Sequence, residues 1–211
     1  YLCWCCGERL TAMREARERV RQAAMEWFAS VGFGSTTTKA VAERAGVASG
    51  TVFVHAADKT DLLSLVMGSV LQEAVEQGFA GAPKEGLQGQ LLHVFGAVFA
   101  AYGKVPKLAA PFVRTLPNAK GPNSERVQEI TFDFLTRLAA LVSAAQARGE
   151  IDETVPPPLL AQNVFALYFF ALMSWISGFA TLETALRPQL EMALSLQLRG
   201  LEKQRRPESD M

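Results

Sequence analysis

Apolar positions recur at three- and four-residue intervals along nearly the whole chain, and the strict alternation of a half-buried strand is absent. The pattern predicts an all-α protein. A first helix is expected over residues 8–31, with Val20, Ala24, Trp27, Phe28 and Val31 on one apolar face and Arg14, Arg17 and Arg21 on another stripe. Gly32 ends it as a residue able to adopt positive φ. A second helix begins at Thr37 or Thr38, since a threonine side chain caps free amides, and ends near Ala45. A third covers residues 49–55, and a fourth, capped by Asp58, runs to Phe79.

The segment 81–86, GAPKEG, is the clearest loop. Beyond it the pattern predicts helices over residues 87–102, 106–116 and 124–148, the last stopped by Gly149. Pro156, Pro157 and Pro158 open an uncharged helix over 159–182, and a final helix covers 188–203 before a polar, loose tail, QRRPESDM. Residues 159–182 are long enough to cross a membrane. Gln162, Asn163, Ser174 and Ser177 interrupt the run and no basic cluster flanks it, which favours a buried central helix.

Charge changes the picture more than composition does. Lys plus Arg and Asp plus Glu both number 21 in 211 residues, so the formal net charge is zero. Any nucleic-acid surface must be local. Residues 9–59 hold eight basic and five acidic side chains, a modest phosphate-binding surplus. Cys3, Cys5 and Cys6 are the only cysteines, their CxCC spacing is not that of a zinc site, and no His lies nearer than His55. Residues 1–7 are therefore expected to be a disordered leader, with no metal site. The cysteine usage and the lack of a signal-peptide pattern point to a cytoplasmic protein with no membrane partner. Paired catalytic carboxylates, a nucleophile elbow, a phosphate loop and a metal cluster are absent from the sequence, so an enzyme is disfavoured and no cofactor is implied.

The densest chemistry lies in residues 32–62, where two short helices are joined by an Ala-Gly-Val turn. This is the spacing of a helix-turn-helix, which places one helix in the major groove. Ala42, Ala45 and Val47 allow close crossing, Gly46 reverses the chain, and Val41 and Val52 fill the contact. The positions expected to face DNA are Ser49, Gly50, Thr51, Phe53, Val54 and His55. Ser49 and Thr51 offer hydroxyls, Gly50 permits close backbone approach, and Val54 or Thr51 offers apolar atoms to a thymine methyl. Thr37 offers a hydroxyl and amide to a phosphate, and Lys39 and Lys59 offer charge. Each has a plainer reading: Thr37 is a cap in any case, Phe53 is as consistent with packing, and the arginine stripe is interleaved with Glu15 and Glu18 as a solvated face.

Residues 20–63 resemble the N-terminal DNA-binding region of the TetR family of transcriptional repressors. The resemblance rests on Ala24, Phe28, Gly32, Phe33, Thr37, Val41, Ala42, Ala45, Gly46, Val47, Gly50, Thr51, Phe53, Lys59 and Leu62. Three positions depart from the family pattern. Phe53 stands where a tyrosine usually meets a phosphate, Ala56 where an aromatic is usual, and Ala40 where an acidic residue often completes a cap.

The resemblance implies a DNA-binding domain over residues 8–57 and a ligand-binding and dimerisation domain over 58–211. It implies a homodimer that binds double-stranded DNA at a palindromic operator, two readers one helical turn apart, and releases it on binding a small effector. The sequence adds two observations. The last helix carries a stripe of Leu190, Leu194, Leu198 and Leu201, open to either a dimer contact or an intrachain core. Aromatics concentrate in the second half, which suits an apolar pocket for an uncharged, aromatic or long apolar ligand. Its expected lining is His93, Phe99, Tyr102, Phe112, Phe134, Asn163, Tyr168 and Trp175, with His93, Tyr102, Asn163 and Tyr168 as polar anchors. The alternative is a DNA-binding regulator of the same fold whose aromatic cluster is only core and which takes no ligand.

Overall fold

The computed structural model describes residues 4–84 and 86–201, with side chains from residue 9 onward. It is helical, with no strand among the described residues. The order is α1 (Trp4–Val31), α2 (Thr38–Ala45), α3 (Ser49–His55), α4 (Lys59–Ala80), α5 (Leu87–Lys104), α6 (Pro106–Thr115), α7 (Pro122–Ala147), α8 (Pro157–Ile176), a single turn α9 (Leu182–Thr184), and α10 (Glu191–Arg199). The first helix is assigned from Trp4, four residues before the expected start. The expected leader falls partly outside the described residues, at 1–3, as does the polar tail from 202 onward.

The chain divides into two compact units, one formed by residues up to 72 with 104–130, the other by 73–103 with 131 onward. In the first unit α1 buries Val20, Ala23, Ala24 and Phe28, but Val31, in the helix's last turn, is exposed. Trp27 lies on the same face, half-buried, and its indole N–H donates to the Ala40 carbonyl at 3.0 Å. Pro106 sits in the first turn of α6, where its missing amide hydrogen costs nothing. Leu108, Ala109, Phe112 and Val113 then face inward.

The second unit is built on α5 and α8. α5 buries Leu87, Leu91, Leu92, Val94, Phe95, Val98 and Phe99. α8 is the one helix among the described residues long and apolar enough to cross a membrane by length and composition, a test that the core helix of a soluble protein also passes. It buries Leu160, Ala161, Val164, Tyr168, Ala171 and Leu172 on one face.

A further boundary differs from the sequence reading. The uncharged run does not continue to residue 182. It stops at Ile176, where Gly178 N–H bonds the Trp175 carbonyl at 3.0 Å and Phe179 N–H the Ser174 carbonyl at 2.9 Å. This is a helix-ending pair of bonds hidden inside an apolar stretch. Thr181 and Thr184 then cap each other in a reciprocal box that starts the next turn. The last helix begins where expected: Arg187 is extended (φ −135°, ψ 120°) and breaks the helical path, and the backbone is helical from Pro188 onward. The leucine stripe also resolves: Leu190, Leu194 and Leu198 are buried within this unit, and Leu201 is half-buried.

Candidate nucleic-acid interface

The helix-turn-helix is held by its turn. Thr37 is extended (φ −113°, ψ 151°), and its hydroxyl accepts from the Ala40 amide at 3.1 Å, capping α2. At the other end Gly46 takes φ 64°, ψ 38°. From there the Gly46 amide bonds the Glu43 carbonyl at 3.2 Å and the Val47 amide bonds the Ala42 carbonyl at 3.1 Å. This paired closure consumes two otherwise orphaned carbonyls and needs a left-handed residue, which glycine supplies without steric cost. Val41, Ala42, Ala45 and Val52 are buried, so the small apolar positions meet as the sequence reading expects.

What α3 presents to solvent is almost free of charge and of long polar side chains. Ser49 and Gly50 are exposed, Thr51 is half-buried, and Phe53 and Val54 are 55% and 66% exposed. Lys39 and Thr37 are exposed on the adjoining helix start. His55 corrects the sequence reading: it is 8% exposed, not outward-facing. It lies three residues after Val52, on the same inward face of α3. Burial, and secondarily the charge of Arg17, hold its imidazole below the ordinary histidine range. Lys59 is also placed differently from expectation. Its ammonium donates to the carbonyls of Phe33 at 3.0 Å and Gly34 at 3.1 Å and lies 4.7 Å from the centre of the Phe33 ring. Its charge is engaged in pinning the loop before α2.

A buried network beneath α3 went unread in the sequence. Asp61 is fully buried. One carboxylate oxygen accepts from the amides of Asn123 at 3.0 Å and Ser124 at 2.9 Å and from the Ser124 hydroxyl at 3.1 Å. The other accepts from the Ala57 amide at 3.0 Å and the Asn123 side-chain amide at 2.9 Å. Asn123 also donates to the His55 carbonyl at 2.8 Å, and its own oxygen accepts from Arg17 at 2.7 Å. One side chain thus caps the first turn of α7 and ties it to the end of α3. Gly121 makes room, since a Cβ there would lie 2.6 Å from the Asp61 carboxyl carbon. The available signal was the spacing of Asp58 and Asp61 with a Gly-Pro-Asn-Ser helix start at 121–124, although no periodicity links residues 62 apart.

Residues 20–66 match the family model of bacterial regulatory proteins of the tetR family. Residues 20–66 thus carry the DNA-binding domain that this family model describes. Among solved structures, a TetR-family regulator from Pectobacterium atrosepticum is 20% identical with a TM-score of 0.71, over 93% of this chain and 98% of that one. Thermus thermophilus FadR, a TetR-family repressor in complex with lauroyl-CoA, is 24% identical with a TM-score of 0.68, over 92% and 100%. FadR from Bacillus subtilis in complex with stearoyl-CoA is 21% identical with a TM-score of 0.62, over 86% and 94%. Similarity at this level establishes the fold. Curated proteins gave no match. Helices α2 and α3, the two helices of the helix-turn-helix, lie within the matched residues.

Of the expected pocket lining, the chain brings five residues together in the second unit. Tyr168 stacks on Phe95 with ring centres 4.8 Å apart and meets Phe99 edge-on at 5.6 Å. Phe134 lies edge-on to Phe95 at 5.9 Å, and the half-buried Trp175 lies 6.4 Å from Tyr102. The hydroxyls of Tyr102 and Tyr168 bond each other. Burial pushes both phenols far above the ordinary tyrosine range, so both stay neutral. Three residues fall elsewhere. Phe112 is in the first unit. His93 is exposed beside Gly81, on the opposite side of α5 from its buried apolar face, and Asn163 is exposed on the outer face of α8. Neither can anchor a ligand in this core.

Proposed function

We propose that the chain is a dimeric repressor that reads a palindromic operator through α3 and leaves it when a small apolar or aromatic effector occupies the second unit. The observation that carries the DNA half is the exposed face of a capped α3 (Ser49, Gly50, Phe53 and Val54) beside the exposed Thr37 and Lys39. A helix whose inward residues are packed and whose outward residues have no partner is what a major groove takes. A regulator of this kind works where the genome is, in the cytoplasm.

Dimerisation is supported by a second unpartnered face. On α8, Leu159, Asn163, Ala166 and Phe170 are exposed at four-, three- and four-residue spacing, and α10 exposes Met192 and Leu196. This is the spacing of a single helix face, which a two-fold contact with a second copy would cover. The effector half is supported by the aromatic core and by the FadR structures, which hold lauroyl-CoA and stearoyl-CoA. A long acyl chain fits the apolar ligand class expected from the sequence. The packed state of that core favours a second reading, a regulator with no ligand, because its rings already stack and its phenols already pair.

Two measurements test this. The full chain is titrated into duplexes from the DNA flanking its own coding sequence and resolved by gel shift, with a retarded band at nanomolar protein expected. Thermal melts with lauroyl-CoA, stearoyl-CoA, lauric acid and naphthalene then separate the readings. A rise in melting temperature with loss of the shifted band supports the effector, whereas flat melts with intact DNA binding support the ligand-free reading.

A further inference from the structure

From the composition and exposure of α3, we infer that this regulator reads its DNA chiefly through thymine methyl groups, with Val54 as the specificity-determining residue and Phe53 beside it. The inference rests on the DNA-binding reading above and names the chemistry of its contact.

Direct readout in the major groove uses two kinds of contact. Hydrogen bonds come mostly from Arg, Lys, Asn, Gln, Asp or Glu, and apolar contact is made with the thymine 5-methyl. The sequence of α3, SGTVFVH, contains none of those six polar types. Its one ionisable side chain, His55, is buried. Only the short hydroxyls of Ser49 and Thr51 remain as side-chain hydrogen-bonding groups on the outward side, and Thr51 is half-buried.

The apolar alternative is well placed. Val54 is 66% exposed and lies one turn beyond Gly50, where nothing stands within 4 Å of a Cβ position. Phe53 lies one turn beyond Ser49 and is 55% exposed. The outward surface is therefore two short rows, Gly50 with Val54 and Ser49 with Phe53. The first rises from bare backbone to a branched methyl pair, a step into which a base-edge methyl group fits. The neighbouring cations do not replace base readout, because Lys59 is held by two carbonyls and Lys39 is a point charge suited to phosphate. An exposed valine and phenylalanine side by side have no solvation advantage, so a contact that buries them in the groove gains apolar area.

The test begins with selection of the full chain on a random duplex library. The enriched site is then resynthesised with deoxyuridine in place of thymidine, one position at a time, which removes only the 5-methyl group. At one or two positions per half-site the loss should weaken binding about fourfold, the equivalent of one buried carbon. Val54→Ala, at an exposed position, should fold normally, bind the parent site about as weakly as the wild type binds the uracil site, and no longer distinguish the two. Phe53→Ala should lose discrimination at an adjacent thymine. If sequences enrich but every uracil substitution leaves affinity within twofold, the inference is wrong while DNA binding stands. The same holds if Val54→Ala keeps the discrimination. If nothing enriches over the starting library, the DNA-binding reading fails and this inference fails with it.

Discussion

A carboxylate sealed from water is costly unless each oxygen is paired, and Asp61 accepts five hydrogen bonds, three of them from backbone amides at Ala57, Asn123 and Ser124. An asparagine there must turn its NH₂ toward donors whichever way it is oriented. Asp61→Asn should therefore lower unfolding stability by about 2–4 kcal/mol, read by urea denaturation, while Ser64→Ala, which loses one hydroxyl contact at 3.0 Å, should cost about 1 kcal/mol. His55 adds a pH dependence. Its folded-state affinity for protons is depressed, so below the ordinary value near 6.5 the unfolded chain takes up more protons than the folded one. Its contribution is complete above about pH 6.5 and is lost as pH falls from there through the folded value. His55→Gln should flatten that part of the stability profile. An unchanged acid limb would mean that other groups set it. Neither residue was legible in the sequence as a structural centre. Asp61 reads as a second acidic residue in a helix's first turn, and His55 as the last outward position of a reading helix. Thr37, Gly46 and Val52 were legible because caps, left-handed turns and apolar spacing are local rules, whereas a partner 62 residues away follows none of them.

At the scale of elements the same contrast recurs. Helices marked by proline starts or polar loops fell close to their predicted places, α2 and α3 within a residue. The run after Pro158 reads as one longer helix because its terminator, Gly178, sits between Ser177 and Phe179 with no charge or proline nearby. The leucine stripe of the last helix shows a further limit. Periodicity identifies a buried face but not what covers it, and here the chain covers Leu190, Leu194 and Leu198 itself. That leaves the complementary positions for a second copy. Phe170 is 67% exposed and Leu196 is 71% exposed. Phe170→Glu with Leu196→Glu should leave the helical circular-dichroism spectrum intact and convert a dimer to a monomer in light scattering, since two buried charges facing their symmetry mates cost several kcal/mol. A wild-type mass already equal to one chain would remove the dimer from the proposal. At the reader, Phe53→Tyr adds a hydroxyl at an exposed ring where the family resemblance places a phosphate contact. It should tighten operator binding severalfold in gel shift without altering the melting temperature.

For the whole molecule the decisive quantity is charge. A chain with formal net charge zero has no long-range field to draw it to DNA, so affinity depends on the few cations that reach phosphates. Around the reader their number is small. Lys59 is engaged by Phe33 and Gly34, Arg44 pairs with Glu26 at 2.7 Å, and Arg21 pairs with Glu18. Lys39 remains exposed on α2. If each copy in a dimer contributes one or two cations to phosphates, counter-ion release gives a slope of log K against log salt of about −2 to −4. Many basic readers make six to ten phosphate contacts and lose about 10³–10⁵ in affinity between 50 and 200 mM salt; this one should lose roughly 10- to 300-fold. Gel shifts over that salt range measure the slope directly. Lys39→Ala should make it shallower by about two in a dimer, while Val54→Ala should lower affinity and leave the slope unchanged, because a methyl contact releases no counter-ion. A slope steeper than about −6 would mean that the exposed arginines of α1 also bind phosphate. The paired mutants therefore separate electrostatic positioning from methyl readout.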